Sequence, residues 1–297
     1  MIVREQPSAL SLFFVMQGSI VPRILHKIVA VTLLSMAIYL LDRYATPLPQ
    51  IPFFAISVFG LALSLFLGFR NNAAYERWWE ARKLWGQLIA DVRNLGRQVV
   101  IFEVDVTLRA DVMKTAAGFA HLHRSYLRGD DVRKDIEALL GEEQALRLLK
   151  SANSADAALR DIAANIAKAD LSGFARMALG QTLANIGLAQ AGCERIASTP
   201  LPFVYSLLVR RTTYLYCFLL PFALAGSAGW FTPLVAAVVA YVFFGLQAVT
   251  RELEHPFADT ANGLPLDTMC RVIEISVAES LGNATPPPLE PQGFVLT

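Results

Sequence analysis

Ile51-Pro-Phe-Phe-Ala-Ile-Ser-Val-Phe-Gly-Leu-Ala-Leu-Ser-Leu-Phe-Leu-Gly-Phe69 is the stretch on which the fold turns. It runs for nineteen positions without a charge, close to the ~20 apolar residues that carry a helix across a bilayer core. No charged residue lies anywhere between Arg43 and Arg70. Upstream, 28–41 is also uncharged and mainly apolar, and Tyr39 and Tyr44 suit the membrane interface. Pro47 and Pro49 in the link forbid a continuous helix, so the two segments are predicted to form a helical hairpin.

A second uncharged stretch runs from Thr212 to Thr250, thirty-nine residues. At ~1.5 Å per residue it would be about twice as long as a ~30 Å hydrocarbon core is deep. Ala225-Gly-Ser-Ala-Gly229 near its centre and Pro233 shortly after predict a turn, with spans over 212–225 and 231–250. The expected fold is all-α, an integral membrane protein with four transmembrane helices.

Composition agrees. The chain of 297 residues is 55% hydrophobic and 17% charged, with a mean hydropathy of +0.44, more apolar than an ordinary soluble domain. A net charge of +1 supplies no pull on a polyanion, so no nucleic-acid partner is expected. Cys193, Cys217 and Cys270 are far apart and suggest neither a disulfide framework nor a thiolate metal site. The start, Met-Ile-Val-Arg-Glu-Gln-Pro, has no secretory-signal pattern, so targeting is expected from the internal spans.

Lys and Arg beside the spans give the orientation. Arg23 and Lys27 precede the first, Arg70, Arg77, Arg82 and Lys83 follow the second, Arg210 and Arg211 precede the third, and Arg251 follows the fourth. All lie on one side, and Arg43 alone falls in an outer loop. Both termini and the long middle segment are therefore expected in the cytoplasm, which removes meaning from the Asn283-Ala-Thr285 glycosylation match. The domain plan is a cytoplasmic segment 1–27, transmembrane helices one and two in 28–81, an inserted cytoplasmic helical domain 82–210, helices three and four in 211–251, and a cytoplasmic segment 252–297 with a mobile Pro-rich tail.

In the middle segment Leu84, Leu88, Val92 and Leu95 share a helix face, and further helices are predicted near 105–128, 131–151, 154–168 and 171–198. Breaks fall at Gly129-Asp-Asp131, Ser151-Ala-Asn-Ser154 and Leu171-Ser-Gly173.

The chain carries no nucleophile, phosphate-loop or zinc-protease motif, and no ionisable group that would serve catalysis within its spans, so an enzyme is not expected. His121 and His123, two apart, point to different faces of a helix and predict no metal site. Asp130-Asp131 and Glu142-Glu143 read as solvated surface. Glu252-Leu-Glu-His255, just after the last span, reads as a charge cluster capping a helix end, with cation binding as the competing reading. In the second span Leu61, Leu65 and Phe69 recur every four residues on one face, immediately before Arg70-Asn-Asn72. Such a stripe meets lipid, a neighbouring helix or a pore. Repeated around a symmetry axis, it would form stacked rings, a constriction that gates by dewetting.

Three ordered blocks resemble the bestrophin family, in particular its bacterial members: Phe66-Leu-Gly-Phe-Arg-Asn-Asn-Ala-Ala-Tyr-Glu-Arg-Trp-Trp-Glu-Ala-Arg-Lys-Leu-Trp-Gly86, Gly192-Cys-Glu-Arg-Ile-Ala-Ser-Thr-Pro-Leu-Pro202, and Glu252-Leu-Glu-His-Pro-Phe257 with Leu264-Pro-Leu-Asp267. The resemblance covers nearly all of 1–280. It implies a homopentamer around one pore in the bacterial inner membrane, among membrane lipids, passing monovalent ions. Chloride is the family's ion in animals, and sodium or potassium passes in some bacterial members. On it, Leu61, Leu65 and Phe69 form the pore neck and Phe174 the cytoplasmic aperture. The animal calcium clasp uses a run of acidic residues where this chain reads Ala258-Asp-Thr-Ala-Asn-Gly263, with one carboxylate, so neither calcium nor any other cofactor is expected. A membrane-anchored helical scaffold that binds a cytoplasmic partner is the alternative reading.

Overall fold

The computed structural model describes residues 1–3, 15–16 and 18–297; the expected segment 1–27 thus lies partly outside the described residues. The described chain is helical and forms two compact units. One comprises 18–78 and Pro200–His255, and the other 1–3, Trp79–Thr199 and Pro256–Thr297.

In the first unit α1 (Val21–Tyr44) starts well before the uncharged segment, with Pro22 in its first turn, where a missing N–H costs nothing. After the Pro47 and Pro49 link comes α2 (Phe53–Ile101), forty-nine residues of unbroken helix. The expected span is only its beginning, because no Gly or Pro pair interrupts the sequence after Phe69. Its buried positions include Ile56, Gly60, Leu63, Leu67, Arg70 and Ala74, and after one full heptad Ala81, Trp85, Leu88, Val92, Leu95 and Val99, with steps of four and three within each set, and Asp91 and Gly96 buried beside the second. That is a 3.5-residue seam of the coiled-coil kind.

The long uncharged stretch divides as predicted, into α8 (Phe203–Ala228), a 3-10 turn at Gly229–Phe231 and α9 (Thr232–Leu253). Gly229 takes φ +53, which a side chain would resist, and Pro233 opens α9. Both helices reach beyond the predicted spans, because Arg210, Arg211 and Arg251 are good helix formers that continue them outside the apolar core. Ile24 and Val31 of α1, Ile56, Leu63 and Leu67 of α2, and Tyr216, Leu220 and Phe244 of α8 and α9 share one apolar core. Gly60 lets α2 approach α8 closely: a Cβ there would lie 2.6 Å from the Tyr216 hydroxyl. Gln247 donates to Thr213 Oγ1 at 2.6 Å, so a polar pair between α9 and α8 is satisfied internally.

The second unit packs α6 (Ser154–Lys168) and α10 (Leu266–Ser280) against α3 (Val106–Arg128). Asp105 caps α3 by accepting from Thr107 N and Leu108 N, and Gly129 ends it with φ +79, at the predicted break. The segment predicted as one helix over 131–151 is two, α4 (Arg133–Leu140) and α5 (Glu142–Leu149), because Gly141 at φ +82 turns the chain between them. α7 (Gly173–Ser198) completes the set read from sequence, whereas α10 was not predicted. The carboxyl-terminal segment is extended, with Val295 bridged to Ile2 and Thr268 N and Oγ1 each donating to Thr297 O at 2.9 Å.

His123 lies fully buried in this unit, stacked on Phe119 at 5.7 Å and on Trp85 at 5.5 Å. Burial among apolar rings pushes its imidazole down to about 3, so the folded chain keeps it neutral. The unfolded chain protonates it below the ordinary value of 6.5. Stability contributed by the neutral ring is therefore complete above that pH and is lost progressively between 6.5 and about 3, at roughly 1.4 kcal/mol per pH unit. His123→Phe is expected to flatten that slope. Urea titrations of both proteins in detergent at pH 7.5 and 5.5 would measure it, and equal slopes would rule out His123 as its source.

Candidate pore-lining face

Helix phase decides which leucines of α2 are covered. Leu63 and Leu67 lie in the seam and are 3% and 0% exposed, while Leu61, Leu65 and Phe69 are 73%, 57% and 60% exposed in the single chain. Turning three such groups to water costs ~1.5–3 kcal/mol each. This face is built to be met by something apolar or to line a dry passage.

The opposite face is anchored by charge. Arg70 stands seven residues after Leu63, so the seam that buries a leucine in one heptad buries a guanidinium in the next. It is 7% exposed and donates to Glu254 Oε1 at 2.6 Å. Arg77, a further heptad on, donates through Nε to the Glu254 carbonyl at 2.8 Å. Arg23 pairs with Glu252, and Thr250 Oγ1 donates to Asn71 Oδ1 at 3.4 Å. Three arginines thus gather at the carboxyl-terminal end of α9, where the helix dipole favours cations. Glu252-Leu-Glu-His255 is therefore the charge cluster at a helix end that its sequence suggested, with both carboxylates taken by arginines. Among the described residues, no group of three or more His, Cys, Asp or Glu is placed to hold a metal ion.

Phe174 lies in the other unit, in the first turn of α7, which Ser172 caps by accepting from Ala175 N at 3.2 Å. The cap and the buried Ala175 and Leu179 fix the helix phase, and Phe174 is left 82% exposed. The other two sequence blocks make packing, ion-pair and hydrogen-bond contacts within their own unit. Gly192 allows α7 to approach Leu84, whose Cδ1 would lie 2.9 Å from a Cβ, and burial pushes the neighbouring Cys193 thiol up to about 12. Asp267 accepts from Arg124 at 2.6 Å and from Arg128 at 3.0 Å, and Arg128 also donates to the Leu264 carbonyl at 2.9 Å. Sequence reasoning missed these pairs and the Arg70–Glu254 pair. Their partners lie 143, 139 and 184 positions apart, and no local pattern links them.

The family of bacterial and fungal bestrophin proteins matches residues 1–279. A voltage-dependent anion channel-forming protein of Mesorhizobium japonicum is 46% identical, over 99% of this chain and 96% of its own length. The voltage-dependent anion channel-forming protein YneE of Escherichia coli is 37% identical, over 97% of this chain and 96% of its own. The crystal structure of a bacterial bestrophin homologue from Klebsiella pneumoniae superposes with a TM-score of 0.84 at 32% identity, covering 88% of this chain and 99% of that one. With long apolar helices in the same fold and similarity running nearly end to end, the chain belongs to the bacterial bestrophin family, a membrane protein of a channel-forming lineage and not an enzyme.

Proposed function

We propose that the protein is an anion channel whose pore is formed by copies of α2 around a common axis, with Leu61, Leu65 and Phe69 as its neck. The observation that carries this reading is the exposed stripe itself. Three bulky apolar groups stand out from a helix whose other face is buried by its own chain. A homopentamer, as the family resemblance implies, turns each into a ring. α1, the first part of α2, α8 and α9 then supply four membrane crossings in the bacterial inner membrane, with both termini cytoplasmic. Phe174 forms a second apolar ring at the cytoplasmic aperture. The domain plan from 1–27 to 252–297 follows from the same crossings. Anion passage is favoured by the relatives, which are named as anion channel-forming proteins. The Phe69 ring also suits it, since aromatic edges are positive.

Purified protein in a planar bilayer with a potassium chloride gradient tests this. Single-channel currents that reverse near the chloride equilibrium potential are expected. A folded oligomer silent under every gradient would overturn the pore and favour a membrane-anchored scaffold, and reversal near the potassium potential would overturn anion selectivity alone.

A further inference from the structure

One heptad beyond Leu61, Leu65 and Phe69, the same phase of α2 carries Gly68, Asn72 and Glu76. Glu76 therefore points as Phe69 does, displaced along the helix by about 10 Å. It is exposed, and the exposed Asn72 amide donates to its Oε1 at 3.0 Å, holding the carboxylate on that face. The first part of α2, 53–78, has only two other charged side chains, Arg70 and Arg77. Both turn the other way. Arg70 is buried against Glu254 at 2.6 Å, and Arg77 is partly buried with its Nε on the Glu254 carbonyl at 2.8 Å. The remaining basic residues of this unit stand on α1, α8 and α9. Within 53–78 the face that bears the neck residues thus carries one charge, and it is negative; the next charge on that phase is Lys83, a heptad (about 10 Å) farther from the neck.

We propose that Glu76 is a selectivity-determining residue, repeated around the axis as an acidic ring beside the cytoplasmic end of the neck, where it concentrates cations and opposes anions. The inference rests on the pore reading above and adds to it a term of opposite sign. The apolar neck sets the cost of dehydration without preferring a charge, whereas a ring of carboxylates at a narrow, low-dielectric mouth focuses a field on every ion that enters. The paired Arg70 matters for the same reason. Its charge is cancelled away from the pore, so it does not offset the ring. Selectivity in this chain is then a balance that one substitution per subunit should move.

Reversal potentials of wild type, Glu76→Gln and Glu76→Lys in planar bilayers test this under one potassium chloride gradient. Glutamine keeps the size of the side chain and an acceptor for Asn72, and size-exclusion profiles check assembly. Glu76→Gln is expected to raise the chloride-to-potassium permeability ratio by about 3-fold or more, and Glu76→Lys further, with both shifts shrinking near 1 M salt as the screening length falls to ~3 Å. Conducting channels with the same reversal potential in all three proteins would overturn the role of Glu76 and leave the pore standing. A silent wild type would overturn the pore and this inference with it.

Discussion

Leu65→Ala is expected to raise ion flux about ten-fold at a fixed voltage, a barrier lowered by ~1.4 kcal/mol. Leu65 is the middle residue of the exposed stripe, and its phase places it farthest from the buried seam of α2. In an oligomeric pore the substitution removes three carbons from every subunit at the same level. The ring becomes wider and less apolar, so water re-enters at lower cost and ions lose less of their hydration. The matched control is Leu63→Ala, two positions away in the seam at 3% exposure. That change opens a cavity and is expected to cost ~2–5 kcal/mol of stability while leaving the conductance of surviving channels unchanged. Single-channel recording combined with thermal unfolding in detergent separates the two. If Leu65→Ala conducts like wild type, or if Leu63→Ala alters conductance as strongly, the stripe does not line the ion path.

Glu254→Ala should be strongly damaging at the carboxyl-terminal end of α9, costing about 3 kcal/mol or more. Arg70 and Glu254 are 8% and 12% exposed at their side chains and meet at 2.6 Å. Removing the carboxylate leaves a buried guanidinium without its partner, and Arg70 Nε already has no acceptor among the described residues. Alanine keeps the backbone carbonyl that Arg77 uses, so the loss reports on the charge pair. The double substitution Arg70→Leu with Glu254→Leu is expected to recover much of the stability, because a buried ion pair breaks roughly even against apolar groups of similar size. Thermal midpoints of Arg70→Leu, Glu254→Leu and the double variant measure the coupling. If the two single changes add without interaction, the pair contributes nothing as a pair.

The membrane-spanning architecture was legible because hydrocarbon tolerates so few residue types. The uncharged runs 28–41, 51–69 and 212–250, Pro47 and Pro49 between the first two, and Gly229 are local signals, and the helices fall where those signals lie. The continuity of α2 was less legible. Hydropathy stops at Phe69 where the bilayer would end, whereas the helix obeys only its backbone and the 3.5-residue seam that continues to Val99. Gly141 split a predicted helix because its positive φ is a backbone property that apolar periodicity does not report.

The four-residue spacing of Leu61, Leu65 and Phe69 by itself determined that they share a face, since that follows from helix geometry alone. It left undecided whether the face is inward or outward, because Leu61 and Leu63 are the same residue type in the same apolar run. Packing of the chain against itself made that choice, burying Leu63 and exposing Leu61. The destination of the charges also depended on tertiary contacts: Arg70 and Glu76 lie six positions apart, yet one is neutralised by a carboxylate 184 residues away and the other stands open. Side-chain chemistry is written residue by residue, but burial and electrostatic partnership are properties of neighbours in space, which only the folded chain brings together.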